Sequence, residues 1–291
     1  MNPKKVTAPA VKSMKSGSRI GMITAYDYPS AKAADAAGAD IILVGDSLGM
    51  VVLGYPDTLQ VTVADMLHHT RAAARGVQRA LLVGDMPYLS YHVSIEESVR
   101  NAGEFIRAGA QAVKVEGGKR QRIKTVEAIL DAEIPVMGHI GLTPQSVNAL
   151  GGFKLQGKNV DDARRLMDEA VALDQAGCFS IVLECVPSEL AAMITERVTA
   201  PTIGIGAGPH CDGQVLVFHD LLGLYDDHTP KFVRRYATLG DETRAAISRY
   251  LDDVRGGRFP DEQTESFHMA NAEELRSLYG SANVVEMPLS K

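Results

Sequence analysis

Four times in this chain an apolar, largely β-branched run ends on an acidic residue. The runs are Ile41-Ile42-Leu43-Val44-Gly45-Asp46, Leu81-Leu82-Val83-Gly84-Asp85, Val113-Lys114-Val115-Glu116 and Ile181-Val182-Leu183-Glu184. Near-continuous hydrophobic runs of this length are the mark of parallel strands covered by helices on both faces. One carboxylate closing a buried strand is ordinary, whereas four imply a shared acidic pocket at one end of a sheet. The C-terminal ends of parallel strands are where ligands bind in α/β folds. An acidic pocket without a large basic excess nearby collects a divalent cation, so the pattern points to a metal-assisted enzyme.

The rest of the chain supports a single large α/β domain. Runs with strand character cover Arg19 to Ala25, Asp40 to Asp46, Ala80 to Asp85, Ala112 to Glu116, Pro135 to Ile140, Phe179 to Glu184, Pro201 to Ile205 and Val215 to Phe218. Helical patterns lie between them, including Ala64 to Arg75, Ile95 to Ala108, Arg122 to Ala132 and Val160 to Ala176. Gly38, Gly76, Gly109 and Gly177 fall where helix C-termini favour glycine. Eight strands with helical crossovers fit a (β/α)8 barrel better than a six-stranded doubly wound sheet. After Leu224 the texture changes: Asp226-Asp227-His228-Thr229-Pro230 is a turn-rich break, Phe232 to Gly256 is charged and helical, and Ala272 to Tyr279 reads as a last short helix. Residues 1–291 thus form one barrel domain, with 225–291 a helical C-terminal appendage that covers the site or builds a subunit contact.

The 291 residues carry a formal charge of −6, which argues against nucleic acid or an anionic membrane as partner. No apolar stretch approaches the roughly 20 residues of a membrane helix, and the basic N-terminus is not followed by the apolar segment of a secretion signal. Cys178, Cys185 and Cys211 are odd in number and lack metal-motif spacing, so a reducing cytoplasm is the expected setting. Cys178 and Cys185 read as small core residues, although Cys185 directly follows Glu184.

Asp46, Asp85 and Glu116 end the second, third and fourth strands, which a barrel brings side by side. Three oxygen donors suit Mg²⁺, and no histidine- or cysteine-rich cluster competes for zinc. Each acid taken alone reads more readily as a loop or helix cap, and it is the set of three that favours a metal. Lys114 shares a strand face with Glu116 and serves either as a cation for an anionic substrate or as a structural ion pair. Desolvation beside Leu183 and Cys185 would make Glu184 more basic and suit it as a general base; a fourth ligand or a structural acid is the alternative. His139 ends the fifth strand, placed to hydrogen-bond a substrate or to sit satisfied in the core. His68 and His69 fall in a helical stretch, facing solvent or the core. Ile203-Gly204-Ile205-Gly206-Ala207-Gly208 resembles the phosphate loop of many barrels, but Pro209 breaks the helix a dinucleotide fingerprint needs.

Together these residues closely resemble the ketopantoate hydroxymethyltransferase family. The matching blocks include Thr24-Ala25-Tyr26-Asp27-Tyr28-Pro29-Ser30, Gly45-Asp46-Ser47-Leu48-Gly49-Met50, Gly84-Asp85-Met86-Pro87 and Val113-Lys114-Val115-Glu116-Gly117-Gly118. They continue in Met137-Gly138-His139-Ile140-Gly141-Leu142-Thr143-Pro144-Gln145, Leu183-Glu184-Cys185-Val186-Pro187, Cys211-Asp212-Gly213-Gln214-Val215-Leu216-Val217 and Pro230-Lys231-Phe232-Val233. The resemblance implies a TIM barrel of the phosphoenolpyruvate/pyruvate type holding Mg²⁺ on Asp46, Asp85 and Glu116. It implies 3-methyl-2-oxobutanoate as substrate, bound by Ser47 and Lys114 with Asp46, Asp85 and His139 around it, and Glu184 as the base. It further implies 5,10-methylenetetrahydrofolate as one-carbon donor and a homodecamer. A lyase of the same barrel group is disfavoured because the chain has no Lys-Cys-Gly-like loop. A non-catalytic binding barrel is disfavoured because acids, lysine and glutamate are all retained.

Overall fold

The computed structural model describes residues 4–225 and 229–279. Eight parallel strands close into a barrel in sequence order: β1 Ile20–Thr24, β2 Ile41–Val44, β3 Leu81–Asp85, β4 Ala112–Glu116, β5 Val136–Gly141, β6 Ser180–Glu184, β7 Thr202–Ile205 and β8 Gly213–Leu216. The helices are α1 Ala8–Lys12, α2 Tyr28–Ala36, α3 Leu48–Val51, α4 Val63–Ala74, α5 Ile95–Arg107, α6 Arg120–Asp131, α7 Val147–Leu150, α8 Val160–Ala176, α9 Ser188–Arg197, α10 Phe218–Leu222, α11 Leu239–Arg255 and α12 Ala272–Tyr279. This is the expected (β/α)8 architecture. Helix starts follow local chemistry: the side chains of Asp27, Thr62, Ser94 and Asn159 each accept a backbone N–H from the first turn of α2, α4, α5 and α8.

Three of the expected capping glycines, Gly38, Gly109 and Gly177, take positive φ after their helices. Gly76 serves close packing instead, since a Cβ there would lie 2.6 Å from the Tyr28 carbonyl oxygen and 2.8 Å from Lys32 N. The second strand stops at Val44, so Asp46, expected to end it, lies in the turn beyond, and two larger differences from the sequence reading fall later in the chain. The eighth strand starts at Gly213, not Val215, and gives way to α10 at Phe218. Its first half is polar, yet Gly213 and Gln214 pair with both β1 and β7. The helix expected from Phe232 begins only at Leu239. The intervening segment is tied down locally, with Tyr236 N donating to the Leu221 carbonyl at 2.8 Å and the Phe232 ring packed against Gly206. The turn expected at 226–230 falls on 226–228 outside the described residues, as does the chain beyond 279.

The chain divides into two compact units, Met1–Thr238 and Leu239–Lys291. The second carries α11 and α12, with the rings of Tyr250 and Phe259 5.3 Å apart. Among the described residues no helix is long and apolar enough to cross a membrane.

Strand alternation separates two apolar layers in the first unit. Ile42, Val44, Leu82, Val113, Val115, Ile181 and Leu183 pack outward against the helices. Ile41, Leu43, Leu81, Val83, Ala112, Met137, Val182, Ile203 and Val215 fill the barrel interior together with Ala8 and Val11 of α1, which close its lower end. The polar clamp there is Asp212: it pairs with Lys15 Nζ at 2.9 Å and accepts from Ser16 N at 3.0 Å and Thr202 N at 2.8 Å.

Gly84 faces outward, and a Cβ there would run into the Phe105 ring of α5. Gly84→Ala should therefore cost about 1–3 kcal/mol in urea unfolding, as overpacked cores do, and Phe105→Leu in the same chain should restore part of it. Burial alone would raise the Asp212 carboxyl, but the bonds from Thr202 and Lys15 hold it below its ordinary value. Its stabilisation should be complete above the unfolded value of about 3.9 and fade as pH falls through the lower folded value. Asp212→Asn should cost about 2 kcal/mol at neutral pH, and the gap to the unsubstituted protein should shrink in unfolding curves below about pH 4.

Candidate active site

The inward alternation that puts Leu81 and Val83 in the core also aims Asp85 into the barrel at its C-terminal end. The same parity carries Ala112, Lys114 and Glu116, then Met137 and His139, then Ser180, Val182 and Glu184. Strand register lines these groups up: Asp85 is opposite Lys114, Glu116 opposite His139, and Gly141 opposite Glu184. Asp46 follows β2, and its backbone N–H donates to Asp85 Oδ2 at 3.1 Å. All seven expected residues therefore sit at one barrel mouth.

Lys114 organises the acids. Its Nζ lies 2.8 Å from Asp85 Oδ1 and 3.6 Å from Glu116 Oε1, with all three side chains at most 5% accessible. The opposing ions hold Lys114 above its ordinary value despite burial. Burial and the charges of Asp85 and Glu116 raise Asp46 well above the carboxylate range. Asp85 is also raised, chiefly by burial, although Lys114 opposes this. Burial would raise Glu116 too, but Lys114 and His139 prevail and lower it. Asp85 Oδ1 and Glu116 Oε1 are buried without a well-directed hydrogen bond, their ion-pair distances notwithstanding. Among the described residues, no three His, Cys, Asp or Glu side chains are gathered to hold a metal as they stand.

His139 links this cluster to Glu184. Its Nδ1 lies 3.3 Å from both Glu116 Oε1 and Lys114 Nζ, and can donate to the first or accept from the second but not both. Its Nε2 lies 3.2 Å from Glu184 Oε2, in ion-pair range but off the hydrogen-bond line. Burial and Lys114 disfavour the imidazolium, yet Glu116 and Glu184 outweigh them and push His139 up to about 9. Glu184 is less enclosed than expected, its side chain 18% accessible against 3% for Glu116. It stands at the rim, not in an apolar pocket. Gly141 allows the close approach: with φ +99°, it leaves no room for a Cβ against the Glu184 carbonyl, which accepts from Leu142 N at 2.8 Å. Cys185 takes φ 46°, and burial with the Glu184 charge pushes its thiol up to about 12, which favours the neutral thiol.

Ser47 Oγ lies 2.9 Å from the hydroxyl of buried Tyr26, whose carbonyl meets His69 Nδ1 at 2.6 Å. His69 is thus a structural partner, while His68 is exposed. The glycines at 206 and 208 are accounted for by packing, on Phe232 and Ser188 respectively. Sequence reasoning missed three residues. Gln145 donates from Nε2 to Asp46 Oδ2 at 2.9 Å and from its backbone to Glu116 Oε2 at 3.2 Å. Tyr91 O–H donates to Gln145 Oε1 at 2.6 Å, and Arg122 Cζ lies 4.2 Å from the centre of the Tyr91 ring. Gln145 lies within a block shared with the family, but nothing in its spacing marks it; Tyr91 falls outside every expected element, and Arg122 only opens a helical pattern.

A model of the ketopantoate hydroxymethyltransferase family matches residues 5–262. The chain is 56% identical over 264 residues to the 3-methyl-2-oxobutanoate hydroxymethyltransferase of Acetivibrio thermocellus, covering 90% of this chain and 93% of the relative. It is 58% identical to the enzyme of the same name from Syntrophomonas wolfei, over 89% of this chain and 94% of the relative. Among solved structures, phosphonopyruvate hydrolase complexed with oxalate and Mg²⁺ matches with a TM-score of 0.57 at 14% identity, over 93% of this chain and 94% of that one. The 2,3-dimethylmalate lyase of the PEP mutase/isocitrate lyase superfamily gives 0.55 at 16%, over 93% and 98%. These structural likenesses speak for the fold alone, whereas the family model and the curated relatives cover nearly the whole chain. The chain belongs to the ketopantoate hydroxymethyltransferase family.

Proposed function

We propose that the chain transfers a hydroxymethyl group from 5,10-methylenetetrahydrofolate to 3-methyl-2-oxobutanoate, giving ketopantoate for pantothenate and coenzyme A synthesis, with Glu184 as the base. Family membership supports the reaction. The observation that carries the assignment of the base is the contrast in enclosure. Glu184 is partly accessible at the rim with His139 beside it, while Asp85 and Glu116 are sealed against Lys114.

The acid cluster fits a divalent cation. Its donors are hard oxygens, two of them buried without a directed bond, and burial drives Asp46 and Asp85 toward neutrality where a cation would restore their charge. Asp46 and Asp85, with Glu116 as the third acid, would hold Mg²⁺. Bound there, it supplies a Lewis acid for the oxygens of a 2-oxo acid.

The protein groups divide the remaining work. Ser47 and Lys114 hold the carboxylate end of the keto acid, Lys114 also balancing the acids around it. His139 meets the 2-oxo side. Glu184 accepts the C3 proton, and the freed electron pair forms the new carbon–carbon bond to the donor's methylene carbon. The bonds from that carbon to the folate nitrogens break, and one water provides the product hydroxyl while tetrahydrofolate leaves. Assembly as a homodecamer and a cytoplasmic setting belong to the same reading, resting on the family resemblance and on three cysteines that form no disulfide.

The test follows the C3 proton of 3-methyl-2-oxobutanoate by NMR in D₂O. Glu184→Gln should slow its exchange by about 10²–10⁴-fold while keto acid and Mg²⁺ still bind in calorimetry. Normal turnover by that variant would remove Glu184 from the base role. Dialysis against a chelator should stop exchange in the unsubstituted protein and Mg²⁺ should restore it; exchange that persists in full would remove the cation.

A further inference from the structure

The side chain of Gln145 is buried, and each of its polar atoms has a bond that fixes which way the amide faces. Nε2 donates to Asp46 Oδ2 at 2.9 Å and to the Met86 carbonyl at 3.0 Å. A carbonyl only accepts, so the amide nitrogen must lie on that side. On the other side Oε1 meets the Tyr91 hydroxyl at 2.6 Å. That hydroxyl already accepts from Glu116 N at 3.2 Å, which turns its proton toward Gln145.

Tyr91 is itself held. Arg122 donates to the Tyr91 carbonyl at 2.6 Å and to the Glu116 carbonyl at 3.0 Å, and its guanidinium packs over the ring. The result is a chain of oriented dipoles from Glu116 N–H through Tyr91 and Gln145 to one oxygen of Asp46. Gln145 thus engages Asp46 through Oδ2, and its backbone N–H pins Glu116 Oε2.

We propose that Gln145 is a positioning residue that selects which Asp46 oxygen faces a divalent cation, and that Tyr91 sets the direction of its amide. The inference rests on the cation reading given above and deepens it. Groups that orient a metal ligand from behind typically govern affinity by about 10–100-fold. Gln145 acts on two of the three acids at once, through its side chain on Asp46 and its backbone on Glu116. Only the side-chain part is open to substitution.

The test measures Mg²⁺ affinity by titration calorimetry on the full chain, alone and with 3-methyl-2-oxobutanoate, in Gln145→Met, Tyr91→Phe and the double variant. Gln145→Met should weaken Mg²⁺ binding about tenfold or more. Tyr91→Phe keeps the ring under Arg122 and should weaken it about threefold. The double variant should be less than about twofold worse than Gln145→Met, because the hydroxyl then has no amide to direct. In turnover kcat should fall while KM for the folate stays unchanged, a split that general loosening would not give. If Gln145→Met does not fold, Tyr91→Phe decides alone. Unchanged Mg²⁺ affinity in a folded Tyr91→Phe protein, or effects that multiply in the double variant, would overturn the proposal. Absence of Mg²⁺ binding by the unsubstituted protein would overturn the cation reading itself and this inference with it.

Discussion

The site is built around one ammonium group inside a barrel. Three carboxylates at the ends of neighbouring strands could not stay charged in that interior by themselves, since an isolated buried ion neutralises instead. Lys114, projected from the middle of β4, meets Asp85 and Glu116, and His139 adds a second cationic group beside Glu116. Even so burial, reinforced by the neighbouring carboxylates, pushes Asp46 and Asp85 toward their neutral forms. A stable core would not keep such an arrangement for its own sake, because apolar residues of similar volume would serve stability as well or better.

Strand geometry is what makes the cluster possible. Parallel pairing in register places Asp85 beside Lys114 and Glu116 beside His139, so each charge has its counterpart on the adjacent strand. One residue of slip would turn these side chains outward into the helix layer. The lower end of the barrel is organised on the opposite plan, with α1 supplying apolar residues to the core and Asp212 tying the N-terminal segment to β7. Binding at the C-terminal end and stability at the N-terminal end is the usual division of this fold.

Most of that plan was legible in the sequence because it depends on local periodicity. The acid-ended runs of β2, β3, β4 and β6 gave both the barrel and the location of its mouth, and a two-residue spacing placed Lys114 with Glu116. What was hidden depends on contacts distant in sequence. The first half of β8 is polar and looks unlike a strand, yet Gly213 and Gln214 are paired on both sides. The segment after Phe232 has helical composition but is held by α10 and by Gly206. Gln145 and Asp46 are 99 positions apart and no spacing rule relates them. The apolar neighbours of Glu184 suggested full burial, but its own side chain points to the rim, since residues beside it on a strand face the other way.

That last difference bears on how one site can run proton transfer and charge stabilisation together. Glu184 stands apart from the buried acids: β5 lies between its strand and that of Lys114, and its side chain retains contact with solvent. His139, held toward its charged form by the acids on either side, lies between Glu184 and the buried set. Barrels at 14–16% identity to this chain carry other chemistries on the same frame, and fold alone does not choose among them. In this chain one partly accessible acid at the rim stands apart from three enclosed ones, and it is family membership, not the barrel, that ties the arrangement to hydroxymethyl transfer.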